Sequence, residues 1–285
     1  MRLIVPILII TFLHSCEQNK RIPVIGGGYG IGESVNDRRE GLWTFYYDND
    51  TIRTQGLYKN DKAEGEWTFY HPNGTVEEIS SWYDDKAHGP VKAYYNNEQL
   101  HYEGNFDKDK RIGKWTWYRR TGQKEKEGSF VNGKEEGKWT WWYHNGQIEE
   151  EVFYKDSLLH GKGIAYYENG KIREEGLYSF NYKSGEWLMY FEDGTLEDKS
   201  IYANGKLNGL SIYYYPNGVK KFEGNFINDL EEGVFKWYYD NGKLQLEGNY
   251  LKGEENGKFT FYTITGEVNN VKEYLNGVEL LDNTQ

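Results

Sequence analysis

Aromatic, aliphatic and polar residues recur along this chain with a period of 24 residues. Glycines stand at 41, 65, 89, 113, 137, 161, 185, 209, 233 and 257, and counting each as position 0 aligns ten segments without insertion. Positions 5 and 17 are aromatic in all ten, position 11 is Ile, Val or Leu in eight, and position 12 is polar in all ten. Position 2 is Trp or Phe in seven: Trp43, Trp67, Trp115, Trp139, Trp187, Phe235 and Phe259. Segments of this length and alternation read as strands. Asn-Gly stands at positions 8 and 9 in five repeats, and Asp193-Gly194 in a sixth. That dipeptide supplies positive φ at both central residues of a type I′ turn, so each repeat predicts a β-hairpin. A two-residue turn there pairs position 4 with 13, position 2 with 15, and position 0 with 17. Position 15 is Gly in six repeats, which predicts aromatic rings laid across cross-strand glycines.

Polar links such as NDKAE and NGKEE join the hairpins. The expected fold is all-β: an elongated, single-layer antiparallel β-meander of about ten 24-residue hairpin repeats. At ~4.8 Å per strand, ~20 strands would extend on the order of 95 Å. A single hairpin cannot bury its own face, so stability must come from stacking on neighbours. The expected organisation is a signal peptide over 1–15, a flexible tether over 16–40, the repeat array over 41–280 and a tail over 281–285.

Composition agrees with such an array. Aromatics make up 17% of residues and all hydrophobics 37%, leaving roughly a fifth of the chain for aliphatic-type residues, too few for a conventional globular core. The net charge is −11, which disfavours nucleic acid and anionic lipid headgroups as partners. Lysines are dispersed among glutamates, as in KEKEG, the pattern of a solvated mixed-charge surface.

The N-terminus reads as an address. Arg2 precedes an apolar run from Leu3 to Leu13, too short for the ~20 residues of a spanning helix and typical of a signal peptide. Leu13-His14-Ser15-Cys16 resembles the bacterial lipobox, which implies lipidation of Cys16, cleavage before it, and fatty-acyl (palmitate-type) anchoring. His14 is an unusual occupant of its place. Cys16 is the only cysteine, so no internal disulfide or multi-cysteine metal site can form. The run GGGYGIG has no G-x-G-x-x-G frame, which leaves no nucleotide-loop signature.

The unit G-x-W-x-x-Y-x-x-N-G followed by E-G-x-Y, as in GKWTWWYHNG and then EGLY, resembles the MORN repeat in its bacterial variant. The resemblance spans Gly41 to about Gly277 and implies extended β-hairpin interaction and dimerisation modules. Some such proteins are labelled antitoxins, which fits poorly with an exported lipoprotein. Repeats three, six and eight depart from the pattern, with Val91, Gly163 and Ser211 at position 2.

Function is less sharply written. Five histidines follow Cys16 at scattered repeat positions, and runs such as Glu149-Glu150-Glu151 are split between strand faces. No catalytic residue, metal site or cofactor is therefore expected. Positions that vary within the array are the candidate binding surface: Tyr47, Tyr95, Tyr143, Tyr167, Tyr215 and Tyr239 at position 6, with Trp117, Trp141 and Trp237 at position 4. The expectation is a non-enzymatic lipoprotein of the bacterial cell envelope, held at the outer membrane on its periplasmic or surface face. Its rod would serve as a scaffold for protein partners or for self-association. Binding of cell-surface glycan is the alternative, and neutralisation of a toxin ranks last.

Overall fold

The computed structural model describes residues 21–280. The proposed signal peptide, Cys16 and the last five residues lie outside that range. Among the described residues there are 24 strands and no helix, so the all-β expectation holds. The chain divides into two compact units, Met1–Arg111 and Ile112–Gln285. Within each unit, strands pair antiparallel with their neighbours in chain order. In the first, Arg38–Tyr46 pairs with Ile52–Lys59, and Lys86–Tyr94 with Leu100–Asp107. In the second, Lys134–Trp142 pairs with Ile148–Lys155, and Lys206–Tyr214 with Lys220–Ile227.

The predicted register is observed. Gly137 pairs with Tyr154, Trp139 with Val152 and Trp141 with Glu150, which are positions 0, 2 and 4 against 17, 15 and 13. The predicted turn is not. Asn145 has no positive φ, whereas Gly146 sits at φ 86, and Gly146 N donates to Tyr143 O at 3.1 Å. Tyr143 N donates in turn to Gln147 O at 2.9 Å, closing a three-residue loop, as in a turn followed by a left-handed glycine. The register survives because the ladder shifts between Trp141 and Trp142, where Trp142 pairs with Ile148. Position 12 is the extra residue of that bulge. Loop and bulge cancel.

The two-residue turns with both φ values positive are the links between repeats, as at Asn60-Asp61 (φ 51 and 72), enclosed by the pair Lys59 and Lys62. Asn at position 8 has another task. Asn145 Oδ1 accepts from Gln147 N at 2.9 Å within its own loop, while Asn145 Nδ2 donates to Glu168 O of the next repeat at 2.8 Å. The inter-repeat turns are tied likewise. Asp85 Oδ1 accepts from Ala63 N at 2.6 Å, and Glu64 Oε2 accepts from Asp84 N at 3.0 Å.

The core is a file of rings on one sheet face. Position-2 rings alternate edge-to-face with position-17 rings, as in Trp115, Phe130, Trp139 and Tyr154 with successive centroids 6.1, 5.2 and 5.9 Å apart. The glycine beneath each indole is not its own repeat's position 15 but that of the preceding repeat. A Cβ on Gly56 would meet Trp67, and one on Gly128 would meet Trp139, both under 3.0 Å. Some indole N–H groups bond across the joint, from Trp67 Nε1 to Leu57 O at 3.2 Å and from Trp187 Nε1 to Leu177 O at 3.0 Å, whereas Trp139 Nε1 has no such partner. Gly137, at position 0, has open space where a Cβ would stand and φ 73. It is required for its left-handed backbone and not for room under a ring, which corrects the expectation for the 0 and 17 pair.

This geometry accounts for the three departures. Where position 2 is Val91, Gly163 or Ser211, the partner across the joint is Ser80, Val152 or Ser200. Where position 2 is Trp43, Trp67, Trp139, Trp187, Phe235 or Phe259, the residue beneath the ring is glycine: Gly32, Gly56, Gly128, Gly176, Gly224 and Gly248 in turn. At the Val152–Gly163 joint the larger side chain comes from the preceding strand, and at the other two joints small residues meet on both sides.

The flexible tether expected over 16–40 is corrected in part. Tyr29–Val35 pairs with Arg38–Tyr46, and Gly32 lies under Trp43. Asn36 and Asp37 carry the positive φ values of a repeat link. A half repeat precedes Gly41.

Candidate functional site

The recurring loop positions of the repeat are spent on the fold. The position-6 tyrosines show this at the loops: the hydroxyls of Tyr47, Tyr143, Tyr167, Tyr215 and Tyr239 donate to the position-5 carbonyl of the following repeat at 2.6–2.9 Å. Tyr95 stacks on His101 at 4.2 Å. His71 and Arg119, also at position 6, reach Tyr94 O and Trp142 O in the same way. Trp117, Trp141 and Trp237 are placed elsewhere, half-buried on the aromatic face beside the position-2 rings, with Trp141 5.8 Å from Trp139. The candidate strip thus separates into loop ties and face residues.

Those tryptophans belong to a row formed by positions 4 and 13 of successive strands. In the second unit the register runs Trp117, Lys126, Trp141, Glu150, Ala165, Glu174, Met189, Asp198, Tyr213, Phe222 and Trp237. Most of its members are half-buried, and its chemistry changes from strand to strand. Lys126 Nζ stands 4.8 Å over the Trp117 ring. Three carboxylates follow at alternate strands, spaced by about 10 Å. Phe222 then stacks on Tyr213 at 4.5 Å.

The carboxylates differ in their surroundings. Glu174 accepts Lys183 Nζ at 2.9 Å, and Arg173 stands 3.7 Å away. Asp198, 3% exposed, accepts Ser200 Oγ at 2.6 Å, and burial pushes its pKa up to about 6 despite that bond. Burial, with Glu149 close by, also raises Glu150. Tyr178 and Tyr202 are pushed up to about 12, first by burial and then by the carboxylates beside them. On the opposite face carboxylates are matched by lysines, Glu151 by Lys138 and Glu175 by Lys162. Sequence reasoning missed Glu150, Glu174 and Asp198. The signal available was charge at position 13 inside an otherwise aromatic face.

In the first unit the same face carries a groove of about 390 Å³ lined by Arg39, Phe45, Tyr58, Trp67, Phe69 and Trp82, among others. Arg39 lies 3.8 Å over the Tyr58 ring and is held by Asp61. Among the described residues no group of three or more His, Cys, Asp or Glu could hold a metal ion. No helix among them is long and apolar enough to cross a membrane.

The model of the MORN repeat variant matches nine segments: 39–60, 63–82, 87–108, 111–132, 135–156, 159–179, 183–204, 207–228 and 231–252. The chain belongs to the MORN repeat variant family. The tenth MORN unit, from Gly257, lies outside the matched segments, yet Gly257–Tyr262 pairs with Val268–Leu275 in the same register. Among curated proteins no match is found. Among solved structures, the crystal structure of TcdB2-TccC3-Cdc42 aligns at 12% identity with a TM-score of 0.14, over 86% of this chain and 17% of that one. TcdB2-TccC3 without its hypervariable C-terminal region aligns at 12% identity and a TM-score of 0.15, over 87% and 16%. The MORN chain spans about a sixth of those chains.

Proposed function

We propose that this MORN repeat protein is a non-catalytic binding scaffold of the bacterial envelope, tethered through a lipidated Cys16 and engaging a protein partner with its aromatic face. One observation carries the reading. The recurring loop side chains at positions 6 and 8 are consumed by ties within and between repeats, while the row at positions 4 and 13 varies from strand to strand and most of it stays half-buried. Repeat proteins write specificity into such positions. The lipobox-like tetrad at Leu13–Cys16 supports the tether.

Chemical cross-linking of the tagged protein in intact cells, followed by mass spectrometry, tests this. A discrete protein partner is expected from the wild type and not from Cys16→Ala. Recovery of the protein alone from both would overturn the reading. The groove in the first unit favours a second reading, stacking of sugar rings on Phe69 and its neighbours. It requires retention on purified envelope polysaccharide that Phe69→Ala abolishes.

A further inference from the structure

Lys183 shows how this face receives a cation. Its Nζ lies 2.9 Å from Glu174 Oε2, 3.9 Å from the Trp187 ring centroid and 5.5 Å from that of Tyr202. One repeat earlier, 24 residues back at each position, stand Leu159, Glu150, Gly163 and Tyr178. The carboxylate and the tyrosine are kept, while the ammonium and the indole are gone. No ion pair or hydrogen bond of the Glu150 carboxylate occurs among the described residues, and its one resident cationic influence is the Arg173 guanidinium, which stands 3.7 Å from Glu174. In register, Glu150 and Glu174 flank Ala165 from either side, and Ala165 itself is 4% exposed. Tyr178 leans over Gly163, where an added Cβ would come within 2.7 Å of its ring. Trp141 borders Glu150 on the other side.

We propose that the face beside Ala165 binds one cationic side chain, a lysine or arginine of a partner protein, with Glu150 as its counter-ion and Tyr178 and Trp141 as its aromatic flanks. Charge complementarity identifies the occupant. Glu150 is a half-buried carboxylate lacking the lysine that its neighbours Glu151 and Glu174 possess. An ammonium beside a ring and a carboxylate gains from both, more so where water is partly excluded. An apolar side chain would leave Glu150 with no counter-ion but the Arg173 guanidinium it shares with Glu174. The proposal rests on the protein-binding reading and names what the partner presents.

The test uses a capped tetralysine peptide and its tetranorleucine counterpart, titrated calorimetrically against the folded chain at low salt. Tetralysine should bind and tetranorleucine should not. Glu150→Gln should weaken tetralysine by about tenfold or more, and raising salt should weaken it further in the wild type. Leu159→Lys restores the resident ammonium and should block the peptide while raising thermal stability, which separates occupancy of the site from damage to it. Equal binding of tetralysine by the wild type and both variants, or none by the wild type, would overturn the proposal. In the latter case a cross-linked partner in cells would leave the scaffold reading standing with a different contact.

Discussion

The reversed joint at Val152 and Gly163 makes a quantitative prediction at Gly128 and Trp139. Trp139 is 3% exposed, edge-to-face with Phe130 at 5.2 Å and stacked on Trp117 at 5.8 Å. Trp139→Gly should cost about 3–5 kcal/mol for the lost ring and a further ~0.5–1 kcal/mol for glycine in a strand. Gly128→Val drives a side chain into that ring, an overpacking cost of about 1–3 kcal/mol or more. Independent effects would sum to roughly 5–9 kcal/mol, comparable to the stability of a whole domain. The double variant recreates the Val152 and Gly163 joint, in which Val152 is 2% exposed. It should be more stable than that sum by at least about 2 kcal/mol. Repeat arrays open locally, so the assay is native-state hydrogen exchange of amides in Lys124–Val131 and Lys134–Trp142. Additivity within about 0.5 kcal/mol would refute the complementarity argument.

Three further outcomes follow from the geometry. Asp198 holds its proton more tightly folded (about 6) than in its ordinary state at 3.8, so stability should fall as pH rises from about 4 to 6 and stay low above it. Two pKa units correspond to about 3 kcal/mol, and Asp198→Asn should recover much of that at pH 8 and flatten the profile, read from thermal melts across pH. Asn145→Ala removes bonds to Gln147 N and Glu168 O and should cost about 1–2 kcal/mol in urea unfolding, whereas Asn145→Asp keeps the first bond and should cost less. Tyr143→Phe loses the 2.7 Å bond to Tyr166 O and should cost about 1 kcal/mol while leaving partner cross-linking unchanged; loss of the partner at full stability would give that hydroxyl a binding role.

Much of this was written in the chain as period. Ten glycines 24 residues apart and rings at positions 5 and 17 dictate hairpins, and the pairings of 4 with 13 and 2 with 15 followed. The turn was misread because Asn-Gly serves two geometries, and only the bulge at position 12 restores the count. The pairing of glycine with ring was visible but was assigned within a repeat. The sequence gives period without saying on which side a ring leans, and the side chain tilts over the preceding strand. Residues 29–40 hid because Ser34 stands where position 17 is otherwise aromatic, although Gly32, Asn36 and Asp37 keep phase. The acidic site escaped because it depends on what is missing, an indole at Gly163 and an ammonium at Leu159, and absences have no motif.

The claim that the aromatic face is the working surface is tested most directly by placing a photo-activatable cross-linking residue in the full chain in cells. One variant carries it at Met189, between Glu174 and Asp198 in the row. The other carries it at Glu186, three residues earlier on the opposite face of the same strand. A partner adduct from Met189 and none from Glu186 is the predicted result. An adduct from Glu186 alone, or equally from both, would contradict it.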